Sequence, residues 1–310
     1  MNLRQLRYFI GVVDAGNMTR AADHLHVAQT ALGMQIKQLE EDLGIALLLR
    51  HSRGIEPTRA GKLLYERALE ILKRVEDTRN EVIAIDGDPG ETIRLGITPA
   101  LMAAIGSDIA LATREGMPSV FLSMAEAMSH VLTGMLERSE VDFILGYDTP
   151  DVPQFSRVAL MQDDLFLVTK PEDGVKPTID FADAIGGNLA MPESGDAVRN
   201  AVLRVAKELG LDLKVSYEVR SVSAMKSLVL RGEAVSILPL FSVAEEVHAG
   251  KLSATQIRSP AVSRTLYVTS LRQAGSFRNS DRLTDTIRRS LQGMIKRLQP
   301  VAQQQWARIL

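Results

Sequence analysis

Met18-Thr19-Arg20-Ala21-Ala22-Asp23-His24-Leu25, then His26-Val27-Ala28, then Gln29-Thr30-Ala31-Leu32-Gly33-Met34-Gln35-Ile36-Lys37-Gln38-Leu39-Glu40-Glu41-Asp42-Leu43 decide the fold of this 310-residue chain. Asn17 stands where an N-cap would open the first segment, and the paired alanines leave room for a second helix to cross closely. In the second segment Leu32, Ile36, Leu39 and Leu43 form one apolar stripe. Its leading end carries Gln29, Thr30, Gly33, Met34 and Lys37 on the other face. Two short helices joined by a tight turn, the second with a polar leading end, match a helix-turn-helix that lays its second helix in the major groove. A plain helical-bundle core has the same spacing. The next stretch of chain separates the two: Ile45 to Arg50 is short and extended, His51-Ser52-Arg53-Gly54 is a turn, and Ile55 to Thr58 is a second extended run. That hairpin reads as a wing, with Arg53 at its tip able to reach phosphate or the minor groove.

Working outward, Leu6, Phe9, Ile10 and Val13 place a leading helix over Leu3 to Ala15, stopped by Gly16. The net charge of the chain is -2, so no basic excess points to nucleic acid and the DNA reading rests on pattern. From Thr58 onward Leu64, Ala68, Ile71, Val75, Thr78, Val82 and Ile85 recur at alternating spacings of four and three, the pattern of a coiled-coil seam. The intervening residues are strongly charged, which leaves a narrow stripe to bury against a second copy or against the chain's own core. A homodimer would present two recognition helices to two half-sites of double-stranded DNA. Asp86-Gly87-Asp88-Pro89-Gly90 closes the linker.

Beyond residue 90, extended runs at Thr92 to Ile97, Ser119 to Ala125, Val141 to Tyr147, Asp164 to Thr169, Leu213 to Val219, Val235 to Leu238 and Arg264 to Ser270 alternate with amphipathic helical stretches. Such alternation predicts an α/β sensor with mainly parallel sheets. Ligands in open α/β folds sit beyond the carboxyl ends of strands, where helix N-termini point inward. Three loops qualify: Thr98-Pro99, Glu126 to Ser129, and Pro192-Glu193-Ser194-Gly195-Asp196. Thr98, Ser129, Glu193 and Ser194 are the candidate effector-binding residues, with helix capping as the alternative role for each hydroxyl. Thr98 and Ser129 at helix N-termini favour a small polar or anionic effector, and Glu193 opposes an acidic one.

The chain has no cysteine, which excludes disulfides, a thiolate nucleophile and a cysteine zinc site, and its five histidines show no ligand spacing. No cofactor or metal is expected. No secretory signal or run of about 20 apolar residues stands in the sequence, so the expected setting is the cytoplasm, with no membrane partner. Ser223-Ala224-Met225-Lys226 spells S-x-x-K without its K-T-G or S-D-N companions, and no phosphate-binding glycine loop is present, so an enzyme using Ser223 and Lys226 is the weaker reading. A free-standing solute receptor is opposed by the DNA-binding front.

These residues together resemble the LysR-type transcriptional regulators. The resemblance is carried by Leu3-Arg4-Gln5-Leu6-Arg7-Tyr8-Phe9, by Met18 to Ala22 with Leu25 to Gln29, and by Gln35 to Gly44. Thr58-Arg59-Ala60-Gly61, Met225 to Val229 and Val235 to Pro239 extend it through the linker into the sensor. The front half is also similar to the nitrogen-assimilation-control branch. The resemblance implies a winged helix-turn-helix over 1–58, a linker and dimerisation helix over 59–90, and an effector-sensing domain over 91–300 with a tail at 301–310. It further implies a sensor like periplasmic solute-binding proteins, with crossovers near Asp163 and Leu266, subdomain I at about 91–163 and 267–300, and subdomain II at about 164–266. It matches Ser129 to a polar position used for effectors and implies dimers that pair into a homotetramer. The family usually has Pro or Ser at Thr30, Ser at Gly33 and Phe at Leu48. The docking is thus expected to be shared and the base contacts of Gly33 and Met34 to differ.

Overall fold

The computed structural model describes residues 1–25, 27–51, 54–83, 90–171, 177–272, 277–302 and 306–310. The chain forms two compact units, Met1–Pro89 and Gly90–Leu310.

In the first unit α1 spans Leu3–Ala15, opened by a reciprocal Asn2–Gln5 capping box and closed by Gly16 in the left-handed conformation. The Asn17 side chain accepts from the amides of Thr19 and Arg20 at the head of α2, Met18–His24. Helix α3 spans Gln29–Leu43 and ends at left-handed Gly44. Ala21 and Ala22 are buried with Phe9, Val12, Leu32, Ile36 and Leu39 in one core, as close crossing over small side chains requires. Strands β1 (Leu48–His51) and β2 (Gly54–Pro57) pair antiparallel, with Leu48 opposite Pro57 and His51 opposite Gly54. The first wing strand thus begins at Leu48 rather than Ile45. Ser52 and the wing-tip Arg53 lie outside the described residues, as do Ile85 and the linker end at 86–89.

Two contacts fix the wing to the helices. Glu40 Oε1 accepts from the Leu47 and Leu48 amides at 2.7 and 3.1 Å, and the Ile55 amide donates to the Gly16 carbonyl at 2.9 Å. Helix α4 follows over Arg59–Ile83, capped by Thr58, whose hydroxyl donates to the Ala46 carbonyl and accepts from the Gly61 amide. Gly61 sits so close to the wing root that a Cβ there would stand 2.1 Å from the Leu47 carbonyl oxygen.

The second unit begins with β3 (Glu91–Ile97), α5 (Pro99–Gly116), β4 (Val120–Glu126), α6 (Ser129–Glu137) and β5 (Phe143–Tyr147). The long strand β6 (Phe155–Thr169) then crosses into a second subdomain of β7 (Thr178–Asp180), α7 (Phe181–Ala184), β8 (Leu189–Met191), α8 (Ala197–Glu208), β9 (Val215–Glu218), α9 (Val222–Arg231), β10 (Val235–Pro239), α10 (Ala244–His248) and β11 (Ser253–Arg258). Strand β12 (Ser263–Leu271) returns to the first subdomain, followed by α11 (Ser280–Ala302) and β13 (Ala307–Ile309). The first sheet runs β4-β3-β5-β12-β6, with β13 on the other side of β6. In the second, β6 pairs with β10 and β11, β8 and β9 continue beyond β10, and β7 beyond β11. Helices α5 and α11 cover one face of the first sheet and α6 the other; α8 and α9 do the same for the second.

The sheets are mixed rather than mainly parallel. Strands joined through crossover helices pair parallel, whereas β6 and β12 run against their neighbours because they carry the chain between subdomains. Pairing of β6 with β12 ends at Asp164 and pairing with β10 begins at Leu165, so the outgoing crossing falls beside Asp163. The return falls at Ser263, three residues before Leu266, since all of β12 belongs to the first sheet. Residues expected as a tail form β13, anchored by Trp306 beside Phe241.

Gly61→Ala should destabilise the first unit by about 1 to 3 kcal/mol or more, because the obstructing atom is backbone and cannot rotate away. Thermal unfolding should show a lowered transition for this variant, while Ala60→Ser beside it stays near the parent.

Candidate DNA-reading surface and inter-subdomain cleft

Helix α3 buries Leu32, Ile36 and Leu39 completely and turns Gln29, Thr30, Met34 and Lys37 to solvent. Met34 is 71% exposed, a large apolar side chain that the unit's own core does not use. Among the described residues Lys37 pairs with Glu41, at 3.5 Å. Gly33 is half-exposed, and a Cβ placed on it would have nothing within 4 Å. Ala28 caps α3 without a side-chain hydrogen bond, which leaves the first-turn amides to an outside acceptor such as phosphate. The five described residues of the expected reading set therefore share one face; the sixth is Arg53.

Along α4 the expected seam divides. Leu64 packs against the helix-turn-helix core and Ala68 is completely buried, so the chain itself occupies these two positions. The cause is the docking of α4 on α1, where Tyr65 donates to the Asp14 carboxylate. Val75 is half-buried, whereas Ile71 and Val82 remain exposed at 37% and 60%.

In the second unit Thr98 and Ser129 meet. Thr98 precedes α5 and Ser129 opens α6; neither cap residue of these helices makes a side-chain cap hydrogen bond. Ser129 Oγ instead accepts from the Tyr147 amide at 3.2 Å. Both residues line a cavity of about 50 Å³ between the subdomains, together with Tyr147, Asp196, Met225 and Arg264. Glu193 and Ser194 do not line it. Their loop turns outward, so that Glu193 pairs with Arg220 at 2.8 Å and Ser194 is exposed. Asp196 takes the inward place and accepts from the Val198 amide at the head of α8.

Sequence reasoning missed the charged floor of this site. Arg264 on β12 pairs with Asp163 on β6 at 3.1 Å, and its guanidinium lies 3.5 Å from the centre of the Tyr147 ring. All three are buried. Burial pushes the Asp163 carboxyl up against the pull of Arg264. Burial also works against the Arg264 charge, but Asp163 outweighs it and holds the guanidinium above its ordinary range. The Tyr147 phenol is pushed well up, first by burial and then by the Asp163 charge. A signal was available: Asp163 and Arg264 interrupt apolar strands at the two points where the chain changes subdomain.

Ser223 and Lys226 stand along a larger groove of about 710 Å³, and Lys226 Nζ is held by Glu246 at 2.6 Å. That pairing occupies the amine an S-x-x-K mechanism would need. Among the described residues no three histidines or carboxylates are grouped to hold a metal, and no helix is long and apolar enough to cross a membrane.

Residues 3–62 match the bacterial regulatory helix-turn-helix protein, lysR family, and residues 86–292 match the LysR substrate binding domain. The chain belongs to the LysR family. The nitrogen assimilation regulatory protein nac of Klebsiella aerogenes is 30% identical over 86% of this chain and 87% of its own length. Full-length OxyR from Pseudomonas aeruginosa has the same fold, with a TM-score of 0.70 at 22% identity over 93% of this chain and 95% of that one. CbnR complexed with its target DNA superposes with a TM-score of 0.66 at 25% identity over 94% and 100%. The chain is therefore a DNA-binding transcriptional regulator of LysR type with an effector-binding domain, and not an enzyme.

Asp163→Asn would leave Arg264 as a buried charge without its counter-ion, which typically costs about 3 to 5 kcal/mol. Asp163→Leu combined with Arg264→Met should recover most of that loss. Urea unfolding of the three proteins checks it; equal stability of the single variant and the parent would show that the pair is dispensable.

Proposed function

We propose that this LysR regulator grips operator DNA with Gln29, Thr30, Gly33, Met34, Lys37 and the wing residue Arg53, and that a small polar or anionic effector between the subdomains changes how paired DNA-binding units are set. The observation that carries the effector half is the convergence of Thr98 and Ser129, at two helix heads, on a cavity lined by Arg264. Exposed Ile71 and Val82, with half-buried Val75, support pairing through α4, and the family supports assembly of dimers into a tetramer in the cytoplasm, where the operator lies. An effector that prefers one arrangement of the subdomains shifts the population toward it. A second reading, a regulator that needs no effector, is favoured by the small size of the cavity, about 50 Å³.

Native mass spectrometry of the purified full-length protein separates the two readings. A co-purifying small molecule whose occupancy falls in Ser129→Val supports the effector site, since losing one hydrogen bond costs such a ligand about 1 to 3 kcal/mol. Full operator regulation by ligand-free protein would support the second. For assembly, Ile71→Asp should convert the oligomer to monomers in light scattering while each unit stays folded; an unchanged mass would remove α4 as the pairing element. For the DNA half, Lys37→Ala should weaken binding to all duplexes and flatten its salt dependence.

A further inference from the structure

Arg264 and Tyr147 are almost completely buried, at 5% and 3% exposure, and both line the inner cavity. Among the described residues Arg264 Nε, Tyr147 Oη and Asp163 Oδ1 each close no well-formed hydrogen bond. Tyr147 Oη stands beside the Asp163 carboxylate, which draws on its proton, and Arg264 spends a terminal nitrogen, not Nε, on Asp163. Buried polar groups of this kind are satisfied in nearly all native states, so Arg264 Nε at the cavity wall, with Tyr147 Oη shared between Asp163 and the cavity, points to an acceptor that enters it. Ser129 adds a hydroxyl whose oxygen already accepts from the Tyr147 amide, which leaves its proton to donate. The chamber is thus rich in donors.

Its size limits the acceptor. A single water needs about 10 to 15 Å³ on this measure, so 50 Å³ admits roughly three to five heavy atoms. Charge limits it too. Asp163 already neutralises Arg264, and Asp196 sits at the head of α8. What stays uncompensated is the partial positive charge at the heads of α5 and α6, enough for one negative charge and not for two.

The chamber has an outlet. Pro99, Ala100, Met128 and Val222 line both the inner cavity and the groove of about 710 Å³ beside it, so the two are compartments of one cleft with an apolar waist. Beyond the waist the groove offers Phe241, Met294 and Leu298. Two of its cations already have partners: Lys226 is paired with Glu246, and Arg297 with Asp108.

We infer that the effector is an amphipathic monocarboxylate: its carboxylate sits in the inner chamber on Arg264, Tyr147 and Ser129, and its apolar body passes the Pro99–Met128–Val222 waist into the groove. This rests on the reading of the inter-subdomain cleft as the effector site. It assigns the anchoring role to Arg264 and Tyr147, residues the loop-based candidates did not include. It also excludes phosphate monoesters, whose second charge has no counterpart and whose head fills the whole chamber.

The test is calorimetry of full-length protein with hexanoate, octanoate, hexanamide and hexylammonium. Hexanoate should bind saturably, and octanoate should bind more tightly by up to about fourfold per added methylene. Tyr147→Phe, which keeps the ring and removes only the hydroxyl, should weaken hexanoate about 5- to 10-fold. Ala103→Phe, at an exposed helical position on the groove, should abolish the advantage of octanoate over hexanoate. If hexanamide or hexylammonium binds more tightly than hexanoate and responds to Ala103→Phe, the carboxylate assignment is overturned while the effector site stands. If none of the four binds, or if both variants match the parent, the inference and the cleft reading fall together.

Discussion

One strand serves two sheets. Phe155–Thr169 pairs with β12 up to Asp164 and with β10 and β11 from Leu165, so both subdomains hang on a single continuous backbone. At the hand-over the sheet ladders change partners, and the last β6–β12 pairs, Asp163 with Arg264 and Asp164 with Ser263, are joined by side chains as well as by backbone. Asp163 and Arg264 form a buried ion pair stacked on Tyr147. Such a pair contributes little net stability against an apolar substitute, but it penalises any register in which one charge loses the other. It thereby favours one place for the crossing, and with it the place where Thr98 and Ser129 of the first subdomain face the second.

The DNA-binding unit depends on a comparable restraint at smaller scale. A two-stranded hairpin is marginal alone in water, and this one is held at its root by Glu40, by the Gly16 carbonyl and by the approach that only Gly61 permits. Glu40 belongs to α3, so the helix that presents the reading face also positions the wing. One side chain thus ties the wing root to α3.

Most of this architecture was legible because it follows from short-range rules. Asn17 before Met18, Gly16 and Gly44 at helix ends, and the Leu32–Ile36–Leu39 stripe fix three helices to within a residue or two. Strands β7, β8 and β13 were not legible, since three residues carry no period and are made strands by neighbours distant in the chain. The first half of β6, residues 155–162, has no strict alternation of apolar and polar residues and reads as a loop until its partner β12 is known. Within the cleft, the placement of Thr98 and Ser129 was legible because helix heads after strands are local features. Arg264 was not, because its meaning lies in Asp163, a hundred residues away. That Glu193 and Ser194 stay out of the inner cavity was not legible for the converse reason: which side chains of their loop turn inward is set by tertiary contacts, the Asp196 cap on α8 and the Glu193 pair with Arg220.

Gly33 shows how far the fold constrains the reading face. A glycine inside a helix costs roughly 1 kcal/mol relative to alanine, and such a cost is commonly explained by a positive φ or a close neighbour. Neither applies: Gly33 is helical and half-exposed, and no atom lies within 4 Å of the place a Cβ would take. Gly61 is the opposite case, where the Leu47 carbonyl leaves no space at all. The fold therefore demands the second glycine and is indifferent to the first. An indifferent position that nevertheless bears a destabilising residue, one turn from exposed Thr30 and next to exposed Met34, finds its reason outside the folded unit, in what α3 approaches. In the docking proposed for α3 that is the surface of the DNA groove, where an absent side chain would let backbone and the Met34 thioether come nearer to the base edges.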